Sequence, residues 1–228
     1  MNKYKLKMIK NIYKEFNFSE KYKKDLIKFL KDQTTIESGG NKIFDGTFNH
    51  LLQLPDELAE LIIALKYFEK KNKIKFKSFL EIGFSHGITN TILNKFFNFS
   101  KNVAVDRLGA HLNGTTLLAN LRFKNLILFS SDTTSKDTIE NIKKLGLYDI
   151  IFIDADHKYE SVKKDYINYK NFLSKKGIII MHDIFLPNSG SKKFWNELKS
   201  RNKRKLKFKE IICKKYPFKY GIGVLYKK

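Results

Sequence analysis

Phe79-Leu80-Glu81-Ile82-Gly83-Phe84-Ser85-His86-Gly87-Ile88-Thr89-Asn90 runs from a short apolar stretch through two glycines into the start of a helical pattern. A strand that turns into a helix through a glycine loop is the opening unit of a doubly wound α/β sheet. There, ligands bind at the carboxyl ends of the strands and glycine admits their close approach. Two phosphate cradles are excluded. A P-loop ends in Gly-Lys-Ser/Thr, which is missing, and the dinucleotide fingerprint needs a second glycine where Ser85 stands. Glu81 sharpens the exclusion, because a carboxylate beside the loop repels a pyrophosphate and suits a ligand with a positive amino group.

Working outward, further apolar runs predict strands at Val103 to Val105, Leu126 to Phe129, Ile150 to Ile153 and Ile178 to Met181, with late strands at Lys209 to Cys213 and Gly221 to Tyr226. Between the fourth and fifth, Tyr159, Val162, Tyr166, Tyr169 and Leu173 recur at helical spacing, so the tyrosines read as core. Strands separated by helices imply right-handed βαβ units and a mainly parallel sheet covered on both faces. The last two strands are too close for a helical crossover and should pair as an antiparallel hairpin at one edge. The expectation is a Rossmann-like, doubly wound α/β fold with seven strands.

Ahead of it, residues 1 to about 33 are Lys-rich and sparsely apolar, which predicts two short amphipathic helices, and residues 34 to 54 read as a loop. Pro55 suits a first helical position, with Asp56 and Glu57 in the first turn where the helix dipole favours negative charge. Leu58, Leu61, Ile62, Leu65 and Phe68 then share a face. The division expected is a helical N-terminal extension over 1–54, suited to cover a site or dock on a partner, and the doubly wound domain over 55–228.

The chain has 228 residues, 45 of them Lys or Arg against 23 Asp or Glu, for a formal net charge of +22. Such an excess suggests nucleic acid as a partner, but only Arg107, Arg122, Arg201 and Arg204 are arginines, whereas bidentate recognition of phosphates and bases favours Arg. The lysines therefore read first as a solvated surface, with an enzyme that modifies RNA or DNA, or a nucleic-acid-binding protein, as the alternative function. With 42% hydrophobic residues and three prolines, disorder throughout is excluded. One cysteine, Cys213, excludes an internal disulfide and a Cys-based zinc site. Neither a signal peptide nor a membrane-spanning run is recognisable, so the expected compartment is cytoplasmic and no membrane partner is expected.

The second strand ends at Asp106, where a carboxylate can accept both hydroxyls of a ribose. A ribose and a cationic amino acid tail without phosphate describe S-adenosylmethionine. Glu81-x-Gly83-x-x-x-Gly87 with Asp106 resembles the first two motifs of class I S-adenosylmethionine-dependent methyltransferases. Ser131-Asp132 is similar to that family's adenine-side motif. Tyr148 to Tyr159, Gly177 to Asp183, Gly221 to Leu225 and Gln53 to Leu58 resemble its small-molecule O-methyltransferase branch, which includes sugar and macrolide enzymes and, more distantly, catechol O-methyltransferase. The resemblance implies cofactor contacts from Glu81, Gly83, Phe84, Ser85, Gly87, Asp106, Arg107, Ser131, Asp132 and Asp154. Asp132 is equally readable as a helix cap, and Asp156 as the cap of the Tyr159 helix.

Methylating a hydroxyl requires removal of its proton by a base or by a cation that lowers its pKa. Asp154 and Asp183 end adjacent predicted strands and could converge on one divalent ion, magnesium or manganese. His157 is suited to take the proton, and in metal-dependent sugar O-methyltransferases a histidine so spaced is the base. The expected catalytic residues are His157 and Asp154, and the expected metal ligands are Asp154, His182 and Asp183. His182 departs from the family's acidic or amide pair, and it is also readable as a substrate contact or a buried histidine. Amino methylation of bases is disfavoured, since Asp154-Ala155-Asp156-His157 replaces the Asn/Asp-Pro-Pro-aromatic motif. The acceptor expected is a small-molecule hydroxyl, with sugars and anionic compounds in view. A homo-oligomer is compatible with the sequence, and the need for a metal is left open.

Overall fold

The computed structural model describes residues 20–46, 50–108, 125–213, 215 and 220–228. The first of the two N-terminal helices expected from the sequence lies outside these residues.

The chain divides into two compact units. The smaller comprises the described residues up to Asp45 together with Leu51–Lys75. It contains α1 (Glu20–Lys31) and α2 (Pro55–Asn72), with a 3₁₀ turn at Ile36–Ser38 between them. Proline opens α2 at its first position, where the missing N–H has no intrahelical partner to lose. Asp56 and Glu57 follow in its first turn, and the helix closes on Lys73 in the left-handed conformation. The segment expected as a plain loop is partly ordered by isolated bridges, Thr34 with Leu51 and Thr35 with Lys42.

The larger unit holds a sheet of β1 (Ser78–Ile82), β2 (Lys101–Asp106), β3 (Leu126–Ser130), β4 (Tyr148–Ile153), β5 (Leu173–Met181), β6 (Leu206–Ile211) and β7 (Ile222–Lys227) in the order β3-β2-β1-β4-β5-β7-β6. The first five are parallel, and β7 runs antiparallel between β5 and β6. Order reverses between β1 and β4, which is the switch point where such sheets bind ligands. The helices α3 (Ile88–Phe97), α4 (Lys136–Lys144), α5 (Tyr159–Tyr169) and α6 (Gly190–Asn202) lie between strands in sequence.

β1 is buried at every position, including Glu81. Leu80, Ile82, Ile151, Ile153, Ile179 and Met181 join Tyr169, Phe194 and Trp195 in one core. Continuous apolar runs identify such strands because both faces are covered. β5 begins five residues before the predicted Ile178, since Leu173 pairs with Tyr148 across an irregularity and the Ser-Lys-Lys that follows carries no apolar signal. β6 stops at Ile211, so Cys213 lies beyond the strand predicted to hold it.

Candidate active site

The candidate site lies at the carboxyl ends of β1, β2, β3, β4 and β5. The turn after β1 is shaped by a close crossing. Gly83 has φ +93°, and a Cβ there would lie 2.2 Å from the carbonyl oxygen of Asp154, so the loop crosses β4's exit with no room for a side chain. Ser85, where a dinucleotide loop has glycine, also takes a left-handed conformation at φ 48°, a strained choice for a residue with a Cβ. Phe84 is buried, and Gly87 ends the loop ahead of α3. His86, within the loop, is buried, with its Nδ1 2.9 Å from the Ser85 hydroxyl.

Asp106 holds this loop. Its Oδ2 accepts hydrogen bonds of 2.8 Å from the backbone N–H groups of Phe84 and Ser85, and its Oδ1 accepts one of 2.8 Å from Leu108. With two lone pairs on each oxygen, Oδ1 keeps one acceptor position in reserve. Glu81 lies deeper. It accepts a 2.9 Å hydrogen bond from Asn90, which in turn exchanges hydrogen bonds with Asn102. Burial, reinforced by the charges of Asp154 and Asp106, raises the Glu81 carboxyl well above the usual range against the pull of the Asn90 bond.

After β3, Asp132 ties the turn by accepting from the N–H and hydroxyl of Thr134, both at 2.7 Å. The N-cap of α4 is Ser135, so Asp132 shapes the turn before the helix rather than capping it. The Thr138 hydroxyl donates to the Ser131 hydroxyl at 2.7 Å, and Arg107 stands 3.8 Å from Asp132 across an exposed gap.

The ends of β4 and β5 bring together four titratable groups. His157 Nδ1 is 2.8 Å from Asp183 Oδ2, and His182 Nδ1 is 3.1 Å from Asp183 Oδ1 and 3.4 Å from Asp154 Oδ1. The series is His157, Asp183, His182, Asp154, alternating in charge type. His157 is half-exposed, while His182 and Asp183 are buried. Asp183 adopts φ 58°, a left-handed conformation that turns its carboxylate between the two imidazoles. The hydrogen bond to Asp183, with the charges of Asp183 and Asp154, raises His157 above its ordinary value. Burial alone would lower His182, but Asp154 and Asp183 outweigh it and raise the group well above. Burial likewise works against Asp183, yet the two histidines hold its carboxyl far below the usual range.

Of the buried atoms here, His182 Nε2 has no hydrogen-bond partner among the described residues, and Asp183 Oδ1 has only its 3.1 Å ion-pair contact with His182 Nδ1. Unmatched buried polar atoms are costly, and at a functional site they call for a ligand. One ligand atom from each of Asp154, His182 and Asp183 lies within 4.8 Å of the others. Two carboxylates and an imidazole are a suitable donor set for manganese or magnesium.

Two supports of the site, Gly190 and Asp165, escaped sequence reasoning, and a third, Asp156, reads there only as a helix cap. Gly190 donates its N–H to the His157 carbonyl at 2.8 Å, and a Cβ there would fall 1.9 Å from Tyr159 N, so this glycine lets the α6 entry press on the His157 loop. Asp156 accepts from Lys158 N–H and the Ser161 hydroxyl, and since the N-cap of α5 is Lys158, Asp156 fastens the turn before the helix rather than capping it. Asp165, buried on the apolar stripe of α5, accepts a 2.7 Å hydrogen bond from Thr133 after β3. A carboxylate on an apolar helical face was the available signal for it.

The family model described as a methyltransferase domain matches residues 80–184, from β1 to just beyond β5. Over these residues the chain is similar to that family. All the residues of the four-group series fall within this stretch. No curated protein matches the chain. Among solved structures, the O-methyltransferase TomG from Streptomyces achromogenes, in complex with SAM, is similar at a TM-score of 0.59 and 13% identity, over 79% of this chain and 83% of that one. A putative caffeoyl-CoA O-methyltransferase from Staphylococcus aureus is similar at 0.56 and 18% identity, over 92% and 100%. An O-methyltransferase from Bacillus cereus in complex with SAH is similar at 0.54 and 14% identity, over 87% and 100%. At these identities the likeness establishes the Rossmann-like methyltransferase fold, in agreement with the strand order of the domain. Among the described residues no helix is long and apolar enough to cross a membrane.

Proposed function

We propose that the domain transfers a methyl group from S-adenosylmethionine to a hydroxyl of a small molecule, with His157 as general base. The observation that carries this reading is the 2.8 Å pairing of His157 Nδ1 with Asp183 Oδ2 beside the glycine loop. Asp183 accepts the Nδ1 proton and so selects the tautomer whose Nε2 is free to receive another. His157 is open enough for an acceptor hydroxyl to reach it, while buried Asp183 stabilises the imidazolium that forms on proton transfer.

The cofactor, when bound, supplies a methyl group on a positively charged sulfur. Glu81, Asp106 and Asp154 place carboxylates around the loop that would receive it, and the reserve acceptor position on Asp106 Oδ1 suits a ribose hydroxyl. Phe84, Ser85, Ser131, Asp132 and Arg107 complete the proposed cofactor contacts. Asp154, His182 and Asp183 would hold a divalent ion, which would lower the pKa of an acceptor hydroxyl. The structures named O-methyltransferases support the choice of oxygen, and the net charge of +22 favours a polar or anionic acceptor such as a sugar derivative.

Isothermal titration of the full chain with S-adenosylmethionine and S-adenosylhomocysteine tests the reading. Binding of both is expected. Failure of the folded wild type to bind either would overturn it.

A further inference from the structure

The turn after β3 carries Ser131 and Asp132 and is largely exposed, yet it is gripped from beneath by two buried side chains of α5. Asp165 accepts the Thr133 hydroxyl proton at 2.7 Å, and the Tyr169 hydroxyl donates to the Thr133 carbonyl at 2.6 Å. Asp165 is 1% exposed and Tyr169 fully buried. One residue of the turn is thus held by both its side chain and its backbone, from positions one helical turn apart on α5. The same turn is joined to the end of β2, where Ser131 N–H donates to the Asp106 carbonyl at 2.9 Å.

A buried carboxylate is a costly way to fasten a loop. Among the described residues nothing opposite it neutralises the charge: the groups facing it are Thr133, with Asp132 and Asp156 as further negative neighbours. Asp165 is therefore hard to account for as core packing, since an apolar residue on that stripe would pack without the cost. Among the described residues its one direct side-chain hydrogen bond goes to the turn.

We propose that Asp165 and Tyr169 are positioning residues for the adenosine end of the cofactor: by holding Thr133 at two points they set where Ser131 and Asp132 stand relative to Asp106. This rests on the reading of the β1 and β2 loops as the S-adenosylmethionine site. Neither residue is assigned contact with the cofactor.

The test measures the affinity of the full chain for S-adenosylhomocysteine and for methylthioadenosine, which keeps the adenosine and lacks the amino acid end. In Asp165→Ala and Thr133→Val both affinities are expected to fall by the same factor, about 5–10-fold for the loss of one hydrogen bond. Asp165→Asn, which keeps an acceptor for Thr133, is expected to stay within about twofold. At saturating cofactor, kcat should be unchanged. Thr133→Val keeps the test valid where Asp165→Ala fails to fold, because it removes the same bond without emptying the buried site. Unchanged affinity in folded Thr133→Val, or a loss confined to S-adenosylhomocysteine, overturns the inference while leaving the cofactor reading intact. A wild type that binds neither ligand overturns the cofactor reading and the inference with it.

Discussion

The carboxyl edge of the sheet has two halves that manage buried charge in opposite ways. On the side of β1, β2 and β3, each carboxylate that shapes a loop has its partners within the protein: Asp106 accepts three backbone N–H groups, Glu81 an amide, and Asp132 the Thr134 N–H and hydroxyl. On the side of β4 and β5, buried His182 leaves Nε2 without a hydrogen-bond partner among the described residues, buried Asp183 meets His182 through an ion pair at Oδ1 with no hydrogen bond there, and Asp183 occupies a left-handed backbone conformation. A satisfied network gives a rigid seat. An unsatisfied one keeps interaction energy available for something that arrives, which is how binding and proton transfer are prepared before the reaction.

The largest expected effect comes from breaking the unsatisfied half. His157→Ala is expected to lower kcat by about 10²–10⁴, the usual contribution of a general base. Affinity for S-adenosylhomocysteine, set by the other half, should be unchanged, and parallel losses in both would erase the division between the halves. The acid limb gives the sign of the pairing. Neutral His157 is the active form, and Asp183 raises its pKa, so the wild-type rate should fall as pH drops through a value above the ordinary one. In Asp183→Asn that limb should move to lower pH, and a limb that stays in place would exclude the pair as the source.

Asp106→Ala should do the reverse. Losing hydrogen bonds to a charged acceptor costs about 1.5–3 kcal/mol, or roughly 10- to 100-fold in cofactor affinity. Calorimetry would show it, and turnover at saturating cofactor should be nearly preserved.

The smallest effect sharpens the one exception on the satisfied side. Burial, with Asp132 and Asp156 nearby, pushes the Asp165 carboxyl up to about 6 although Thr133 donates to it. Between the unfolded and folded pKa values the native state holds more protons, so this group's contribution to stability declines as pH rises through that window. Asp165→Asn should therefore stabilise the fold at pH 7 by on the order of 1–2 kcal/mol, because the weaker amide hydrogen bond offsets part of the relief. The gain should vanish near pH 4. Denaturant midpoints at the two pH values decide it, and an equal gain at both would refute the electrostatic origin.

The two halves also differed in how far they could be read in advance. Glu81, Gly83, Gly87 and Asp106 were legible because a tight turn against a ligand restricts residue type at fixed spacing, and the parallel strands announced themselves as apolar runs. Asn90, the partner of Glu81, and Asn102, which bonds Asn90, were not legible, since a hydrogen bond between α3 and β2 leaves no periodic mark. Asp154, His157, His182 and Asp183 could be named as a set, but which pairs with which could not.

By itself, the order of apolar runs and glycine turns determined the sheet, its mainly parallel direction and the strand ends that carry the chemistry, because these follow from local chain geometry and burial. Only the tertiary structure decided that Asp183 sits between His157 and His182, that Gly190 presses against the His157 loop, and that Asp165 reaches across to Thr133. Those contacts join residues 26 to 33 positions apart or fix the direction of a side chain within a turn. Packing of the folded chain sets both, and spacing along the sequence does not encode them.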